Sequence, residues 1–111
     1  VLVVEDEPLV AVGVVNHLTD AGATVVGPCS TSERAMAVIE ENDIDVAIID
    51  FVLADDNTQE LQTALESKAI PFVVITGYPR VLVRRDQRQP VLSKPVSAEA
   101  LTSTVRELSG A

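Results

Sequence analysis

The 111-residue chain is 47% hydrophobic with a mean hydropathy of +0.27, a composition that excludes a disordered tail and is typical of one globular domain spanning residues 1–111. Seventeen acidic residues against eight basic ones give a formal charge of -9, which disfavours direct binding to nucleic acid or to an anionic membrane. No apolar stretch approaches the ~20 residues that span a bilayer, and no signal sequence is recognisable, so a cytoplasmic location is expected.

Five short apolar runs predict strands, the first at residues 1–4 and the others at 24–27, 45–49, 71–75 and 90–92. Their hydrophobicity is continuous rather than alternating, which is typical of parallel strands buried on both faces. Longer segments with helical periodicity separate them. This pattern predicts a series of alternating βα units.

The first three helices follow the first three strands. An apolar stripe that begins at Val10 predicts the first helix, and Gly22 stands where its C-terminal cap is expected. Ser30 and Glu33 have the spacing of a capping box at the start of the second helix. A third stripe predicts a helix around residues 61–68.

The last two helices differ in how clearly they are marked. Residues 78–89 predict a short or irregular fourth helix, because their apolar residues are adjacent and Pro79 stands near the start. The fifth helix is better defined, since Ser97 can cap it and Leu101 and Val105 lie on one face.

Five alternating units of this kind fold most readily as a flavodoxin-like (βα)5 structure, in which a doubly wound five-stranded parallel sheet has the order 2-1-3-4-5. Strands 1 and 3 are then neighbours at the topological switch point. Their carboxyl ends line the crevice where such folds bind ligands.

Acidic side chains follow both of these strands: Glu5, Asp6 and Glu7 come after strand 1, and Asp50 comes after strand 3. Two unit charges ~4 Å apart repel by roughly 4 kcal/mol at an effective dielectric near 20, so a cation is expected among them. Oxygen ligands with room for water favour Mg²⁺ over Ca²⁺.

The other strand ends carry complementary groups. Strand 4 runs into Thr76 and Gly77, and strand 5 runs into Lys94 and Pro95, where a cis peptide bond is a further option. A metal site, a carboxylate nucleophile, a hydroxyl and an ammonium at one sheet edge are the parts that phosphoryl transfer needs for positioning and charge neutralisation.

Four motifs, "VLVVEDEP", "AIIDFVL", "VVITGY" and "VLSKP", together resemble the receiver domain of a two-component response regulator over nearly the whole chain. The resemblance implies that Asp50 accepts a phosphoryl group from a phosphohistidine of a sensor histidine kinase or phosphotransfer protein. It also implies that Mg²⁺ is bound by Glu5, Asp6, Asp50 and the main-chain carbonyl of Val52.

The same resemblance implies that Lys94 balances the phosphoryl charge and that Thr76 turns its hydroxyl toward the phosphate. The output is then a change at the face formed by the predicted fourth helix, strand 5 and the predicted fifth helix, where a downstream protein binds. Arginines lie in or beside that face, at positions 80, 84, 85 and 88. The domain is thus expected to be a switch that catalyses only its own phosphorylation and dephosphorylation.

Several positions depart from the family pattern. Val91 replaces the usual switch aromatic three residues before the lysine, and Tyr78 is a candidate substitute for it. Ala54 and Thr58 stand where Pro and Gly are common, so the third helix is expected to begin differently. "PFVVITGY" resembles the "PFxFATGY" signature of an alphaproteobacterial subgroup that lacks the aromatic.

Three rival functions remain open. A pseudo-receiver would keep the fold and bind partners without phosphorylation. A flavin or nucleotide carrier is disfavoured, because "EDEP" after strand 1 would repel a phosphate and no glycine-rich phosphate loop is present. A Mg²⁺-dependent hydrolase ranks last, since the chain has no room for a cap domain.

Overall fold

The computed structural model describes residues 1–53, 58–77 and 89–109. Five strands form one parallel sheet in the order β2-β1-β3-β4-β5, and the described residues contain four helices. In chain order the elements are β1 (Leu2–Val4), α1 (Pro8–Asp20), β2 (Val26–Cys29), α2 (Ser32–Glu41), β3 (Ala47–Asp50), α3 (Thr58–Ser67), β4 (Phe72–Thr76), β5 (Val91–Ser93) and α4 (Ala98–Ser109).

This sheet confirms the predicted flavodoxin-like fold and its strand order. The helix predicted last, after Ser97, is α4 of the structure. The predicted fourth helix at 78–89, together with Tyr78 and the four arginines, lies outside the described residues apart from Gln89. Ala54 also falls outside them.

The three central strands, β1, β3 and β4, are buried along their whole length, as their continuous hydrophobicity predicts. The edge strands β2 and β5 are partly exposed, because each has a strand neighbour on one side.

Alternate residues of the central strands face opposite sides of the sheet and pack into two separate cores. On one side Ile49 and Val74 lie in a cluster with Ile39 of α2 and Leu65 of α3. On the other side the strands pack against α1 and α4, in a cluster that includes Ile48, Ile75, Leu18 and Leu101. The helices therefore pack against both faces of the sheet. Each fully buried Leu or Ile side chain in these cores stabilises the fold by ~1.5–3 kcal/mol.

Helix ends agree with the predicted caps at two of three places. Gly22 follows the end of α1 with φ +91, the left-handed conformation that glycine adopts readily. Ser97 Oγ accepts a hydrogen bond from the Ala100 N–H at 3.1 Å, which caps α4. The capping box predicted from Ser30 and Glu33 is wrong.

At the start of α2 the cap is Thr31, whose Oγ1 accepts a hydrogen bond from the Arg34 N–H at 3.1 Å. Thr31 has extended backbone with φ -135 and ψ 156, the geometry of an N-cap residue, and Ser32 is already helical. Spacing alone pointed to Ser30, and the backbone conformation places the cap one residue later.

The second strand also lies further along the chain than the predicted residues 24–27. The Glu5 N–H donates to the Cys29 carbonyl at 2.9 Å, so pairing with β1 continues to Cys29. The register shifts between the pairs Leu2–Val26 and Val4–Cys29, and Gly27, with φ +103, lies within this shift. Among the described residues, no helix has the length and apolar character needed to span a membrane.

Candidate functional site

The carboxylates of Glu5, Asp6 and Asp50 converge at the carboxyl edge of the sheet. Strand β1 pairs with β3 in the register Val4–Ile49, so the residues that follow these two positions lie side by side. One oxygen from each carboxylate lies within 4.8 Å of the others. The structure therefore brings together the three acidic side chains that were predicted from the sequence as metal ligands.

Glu5 has the most buried side chain of this cluster, with 0% exposure. Its Oε2 accepts a hydrogen bond from the Glu7 N–H at 3.0 Å. Its Oε1 has no well-directed hydrogen-bond donor, and its charge is balanced by an ion pair with Lys94 Nζ at 2.9 Å. A buried carboxylate oxygen of this kind has capacity left for a cation.

Asp50 ends β3 and is 4% exposed. Its Oδ1 accepts a hydrogen bond from the Val52 N–H at 3.3 Å, and its Oδ2 lies 3.3 Å from Lys94 Nζ. Burial, together with the hydrogen bond and charge of Glu5, raises the pKa of Asp50 to about 7, although the Val52 N–H and Lys94 act in the opposite direction. The carboxyl is thus nearly isolated from solvent and sensitive to any added positive charge.

Lys94 supplies the positive charge on the other side of the site. Its main-chain N–H donates to the Thr76 carbonyl at 2.7 Å, which continues the β4–β5 pairing by one residue. Burial opposes the charged ammonium, yet contacts with Glu5 and Glu7 and the charge of Asp50 raise the pKa of Lys94 above its usual value. The ammonium therefore stays charged at neutral pH. The Lys94–Pro95 peptide bond is cis, the option that the sequence left open.

A cavity of about 370 Å³ opens between these side chains. Thr76, which is 1% exposed, lines it at the end of β4, and Gly77 follows at the rim. Val52 lines the same cavity with a side chain that is 44% exposed. Thr76, Lys94 and the acids Asp6 and Asp50 therefore line one shared space, while Tyr78 lies outside the described residues.

Glu7 is a member of the site to which the sequence assigned no role. Its Oε1 lies 3.0 Å from Lys94 Nζ, and its side chain is 63% exposed. It is also the residue before α1, where its side chain makes no capping hydrogen bond. The signal available in the sequence was its place as the third acid in the run after strand 1.

The donor set fits a hard divalent cation. The three carboxylates offer oxygen ligands alone, they lie close enough to share one ion, and the adjoining cavity leaves room for water. Glu5 and Asp50 are held in place by main-chain N–H groups of Glu7 and Val52, so the ligands are oriented before a metal arrives. This cluster is therefore able to bind a metal ion.

The family model of the response regulator receiver domain matches residues 1–106. The chain belongs to this family. The match includes every site residue described above, and it confirms the resemblance drawn from the four motifs. Membership of this family places the receiver domain in two-component signalling.

Solved structures of SdrG are similar to this receiver domain over nearly their whole length. The BeF3-activated conformation of SdrG from Pseudomonas melonis Fr1 is 34% identical, covers 97% of this chain and 93% of its own, and has a TM-score of 0.84. SdrG from Sphingomonas melonis Fr1 is 35% identical, with coverages of 96% and 92% and a TM-score of 0.80.

A curated relative is the phyllosphere-induced regulator PhyR of Methylorubrum extorquens, which is 24% identical over 112 residues. The match covers 96% of this receiver domain but 42% of PhyR, so the chain spans less than half the length of that relative. The SdrG and PhyR relatives are consistent with the alphaproteobacterial subgroup suggested by "PFVVITGY".

Proposed function

We propose that this receiver domain is a phosphorylation-dependent switch of a two-component or phosphorelay system, with Asp50 as the phosphoacceptor. The observation that carries the proposal is the position of Asp50, which forms a carboxylate cluster with Glu5 and Asp6 and lies 3.3 Å from the ammonium of Lys94. A carboxylate whose pKa is shifted by burial and by identified charges, and which lines a cavity, is a candidate functional residue. SdrG, whose BeF3-activated conformation has been solved, supports the same reading by similarity.

The proposed reaction transfers a phosphoryl group from a phosphohistidine of a sensor kinase or phosphotransfer protein. The P–N bond to the imidazole breaks and a P–O bond to an Asp50 carboxylate oxygen forms, while the leaving imidazole keeps the electron pair and takes a proton from water. Asp50 must be ionised to act as the nucleophile. Its pKa of about 7 makes ionisation responsive to a bound cation.

Glu5, Asp6, Asp50 and the main-chain carbonyl of Val52 would hold Mg²⁺, the ion that this oxygen set and cavity suit best. When bound, the metal neutralises charge on the transferring phosphoryl oxygens. Glu5 and Asp50 are oriented for this role by the Glu7 and Val52 N–H groups.

Lys94 and Thr76 would contact the new phosphoryl group. The Lys94 ammonium lies 3.3 Å from Asp50 and would pair with a phosphoryl oxygen, and the Thr76 hydroxyl would turn toward the phosphate from the end of β4. The Lys94 N–H donates a hydrogen bond to the Thr76 carbonyl, so movement at either residue would change the position of β5. A downstream protein would bind the face that includes β5 and α4; the helix predicted at 78–89 lies outside the described residues apart from Gln89.

The proposal makes the domain a signalling protein located in the cytoplasm rather than an enzyme with a separate substrate. Its chemistry would be limited to its own phosphorylation and dephosphorylation. It would bind neither nucleic acid nor membrane directly, since the formal charge of the chain is -9.

The experiment is intact mass spectrometry after exposure to acetyl phosphate or phosphoramidate, with and without Mg²⁺, on wild type and Asp50→Ala. We expect one phosphoryl adduct that requires Mg²⁺ and is lost in the variant. If no adduct forms, an NMR titration with Mg²⁺ distinguishes two explanations. Shifts at Asp6, Asp50 and Val52 indicate a receiver that requires its own kinase, whereas unchanged spectra indicate a pseudo-receiver and refute the proposal.

A further inference from the structure

The ammonium of Lys94 is shared by three carboxylates. Its Nζ lies 2.9 Å from Glu5 Oε1, 3.0 Å from Glu7 Oε1 and 3.3 Å from Asp50 Oδ2. The contacts with Glu7 and Asp50 are hydrogen bonds from Nζ, whereas the contact with Glu5 is an ion pair without hydrogen-bond geometry, so two of the three N–H donors are directed at carboxylates. A phosphoryl group that pairs with Lys94 must therefore compete with three carboxylate charges that already lie within 3.3 Å of the ammonium.

The three carboxylates differ in how easily they can be displaced. The side chains of Glu5 and Asp50 are 0% and 6% exposed, so losing a cation would leave each of them as a buried, uncompensated charge. Glu7 is 63% exposed and can be solvated by water when its partner leaves. Glu7 is thus the carboxylate that releases Lys94 at the lowest cost.

Glu7 also lies outside the proposed metal ligand set. A cation bound by Glu5, Asp6 and Asp50 would compensate the charges of the two carboxylates that now contact Lys94. Glu7 would then be the remaining competitor for the ammonium among the described residues. Its negative charge would also repel an incoming phosphoryl group.

We propose that Glu7 is a positioning residue that holds Lys94 in the unphosphorylated state and competes with the phosphoryl group for it. The inference rests on the proposed function, because it assigns Glu7 a role in the switch centred on Asp50. Phosphorylation would exchange the Glu7–Lys94 ion pair for a phosphoryl–Lys94 pair. Glu7 therefore opposes the active state without taking part in the transfer.

The exchange has a consequence for α1. Glu7 is the residue that immediately precedes this helix, and its side chain contacts Lys94 instead of capping the helix. Once released, the carboxylate would be free to approach the first turn of α1, because the first N–H groups of a helix lack partners within the helix and favour negative charge. Phosphorylation would thereby alter the start of α1 as well as β5.

The test is an NMR titration with beryllofluoride, a phosphoryl mimic, at saturating Mg²⁺ on wild type, Glu7→Gln and Glu99→Gln. Glu99 is a matched control, because it is an exposed acid in the first turn of α4, which follows β5 and begins at the same sheet edge. We expect Glu7→Gln to bind the mimic roughly two- to fivefold more tightly than wild type, the range of one partly exposed ion pair. Raising the salt concentration should reduce this difference, and Glu99→Gln should bind as wild type does.

A second readout follows the ion pair itself. In the Mg²⁺-bound protein, Glu7→Gln should shift the amide resonance of Lys94, and adding the mimic to wild type should shift Lys94 in the same direction. Wild-type binding together with unchanged or weaker binding by Glu7→Gln would overturn the role of Glu7 and leave the proposed function intact. If wild type binds neither Mg²⁺ nor the mimic, both proposals fail.

Discussion

Lys94 Nζ lies 3.3 Å from Asp50 Oδ2, although 44 positions separate the two residues in the chain. The contact spans the carboxyl end of β4, which lies between β3 and β5 in the sheet. It is possible because the Lys94 N–H continues the β4–β5 pairing through the Thr76 carbonyl and because the lysine stem reaches back toward β3. Strand order thus creates the charge balance of the site.

Replacing the Lys94 ammonium should destabilise the fold. In Lys94→Met the apolar stem is retained, but Glu5 loses the cation that compensates its fully buried charge. We expect a loss of ~3 kcal/mol in the free energy of unfolding, measured by urea denaturation with a chelator present. Added Mg²⁺ should restore part of this loss, because a second cation replaces the ammonium.

Lys68→Met is the control for this experiment. Lys68 pairs with Glu40 at 3.3 Å, and both side chains are exposed, at 39% and 70%. Breaking this pair should cost less than ~1 kcal/mol. Equal losses in the two variants would contradict the importance that we assign to burial of Glu5.

Stabilisation by Mg²⁺ should increase with pH. In the metal-free protein the pKa of Asp50 is about 7, above the value of ~3.9 for an unfolded chain. Because the folded state binds this proton more tightly than the unfolded chain does, the carboxyl contributes to the free energy of unfolding below about pH 4. The contribution is lost as the pH rises through 7. A metal requires the ionised carboxylate, so binding below pH 7 must displace a proton.

Thermal unfolding with and without Mg²⁺ measures this effect. We expect a larger Mg²⁺-induced rise in Tm at pH 8 than at pH 6, and Asp50→Asn should remove most of the difference between the two pH values. A rise in Tm that is the same at both would show that Asp50 is ionised throughout.

Two glycines provide opposite expectations for the same substitution. Gly27 has φ +103, and a Cβ there would lie 2.7 Å from the Val3 carbonyl oxygen, so Gly27→Ala should cost about 2–3 kcal/mol. Gly13 lies inside α1, and an added Cβ would have no atom within 4 Å apart from its chain neighbours and the nearby backbone of the helix, so Gly13→Ala should stabilise by roughly 0.5–1 kcal/mol. Urea denaturation of both variants checks the pair, and a neutral Gly27→Ala would show that β2 tolerates a different register.

The lifetime of the aspartyl phosphate should depend on Val52. This side chain is exposed at the cavity two residues beyond Asp50, and it has no group that can orient an attacking water. We expect slow self-dephosphorylation, and Val52→Asn should shorten the half-life severalfold by supplying a hydrogen-bonding amide. Decay of the phosphoryl adduct, followed by mass, measures both proteins, and an unchanged half-life would exclude Val52 as the cause.

Local patterns predicted some features well and others poorly. Hydrophobic runs located all five strands, because burial on both faces leaves a continuous apolar signature. The limits of β2 were wrong, since pairing with β1 carries the strand to Cys29 through a register shift at Gly27. Likewise, the cap of α2 was predicted at Ser30 from its spacing to Glu33, whereas the extended backbone of Thr31 makes that residue the cap.

The sequence by itself determined the fold, the strand order and the acids, hydroxyl and lysine that share one sheet edge. Parallel strands place their carboxyl ends together, so residues that follow a strand are brought to a common edge whatever their separation in the chain. The tertiary structure alone decided how these groups interact. The sharing of Lys94 among Glu5, Glu7 and Asp50 and the raised pKa of Asp50 depend on burial and on distances of about 3 Å, which no local pattern encodes.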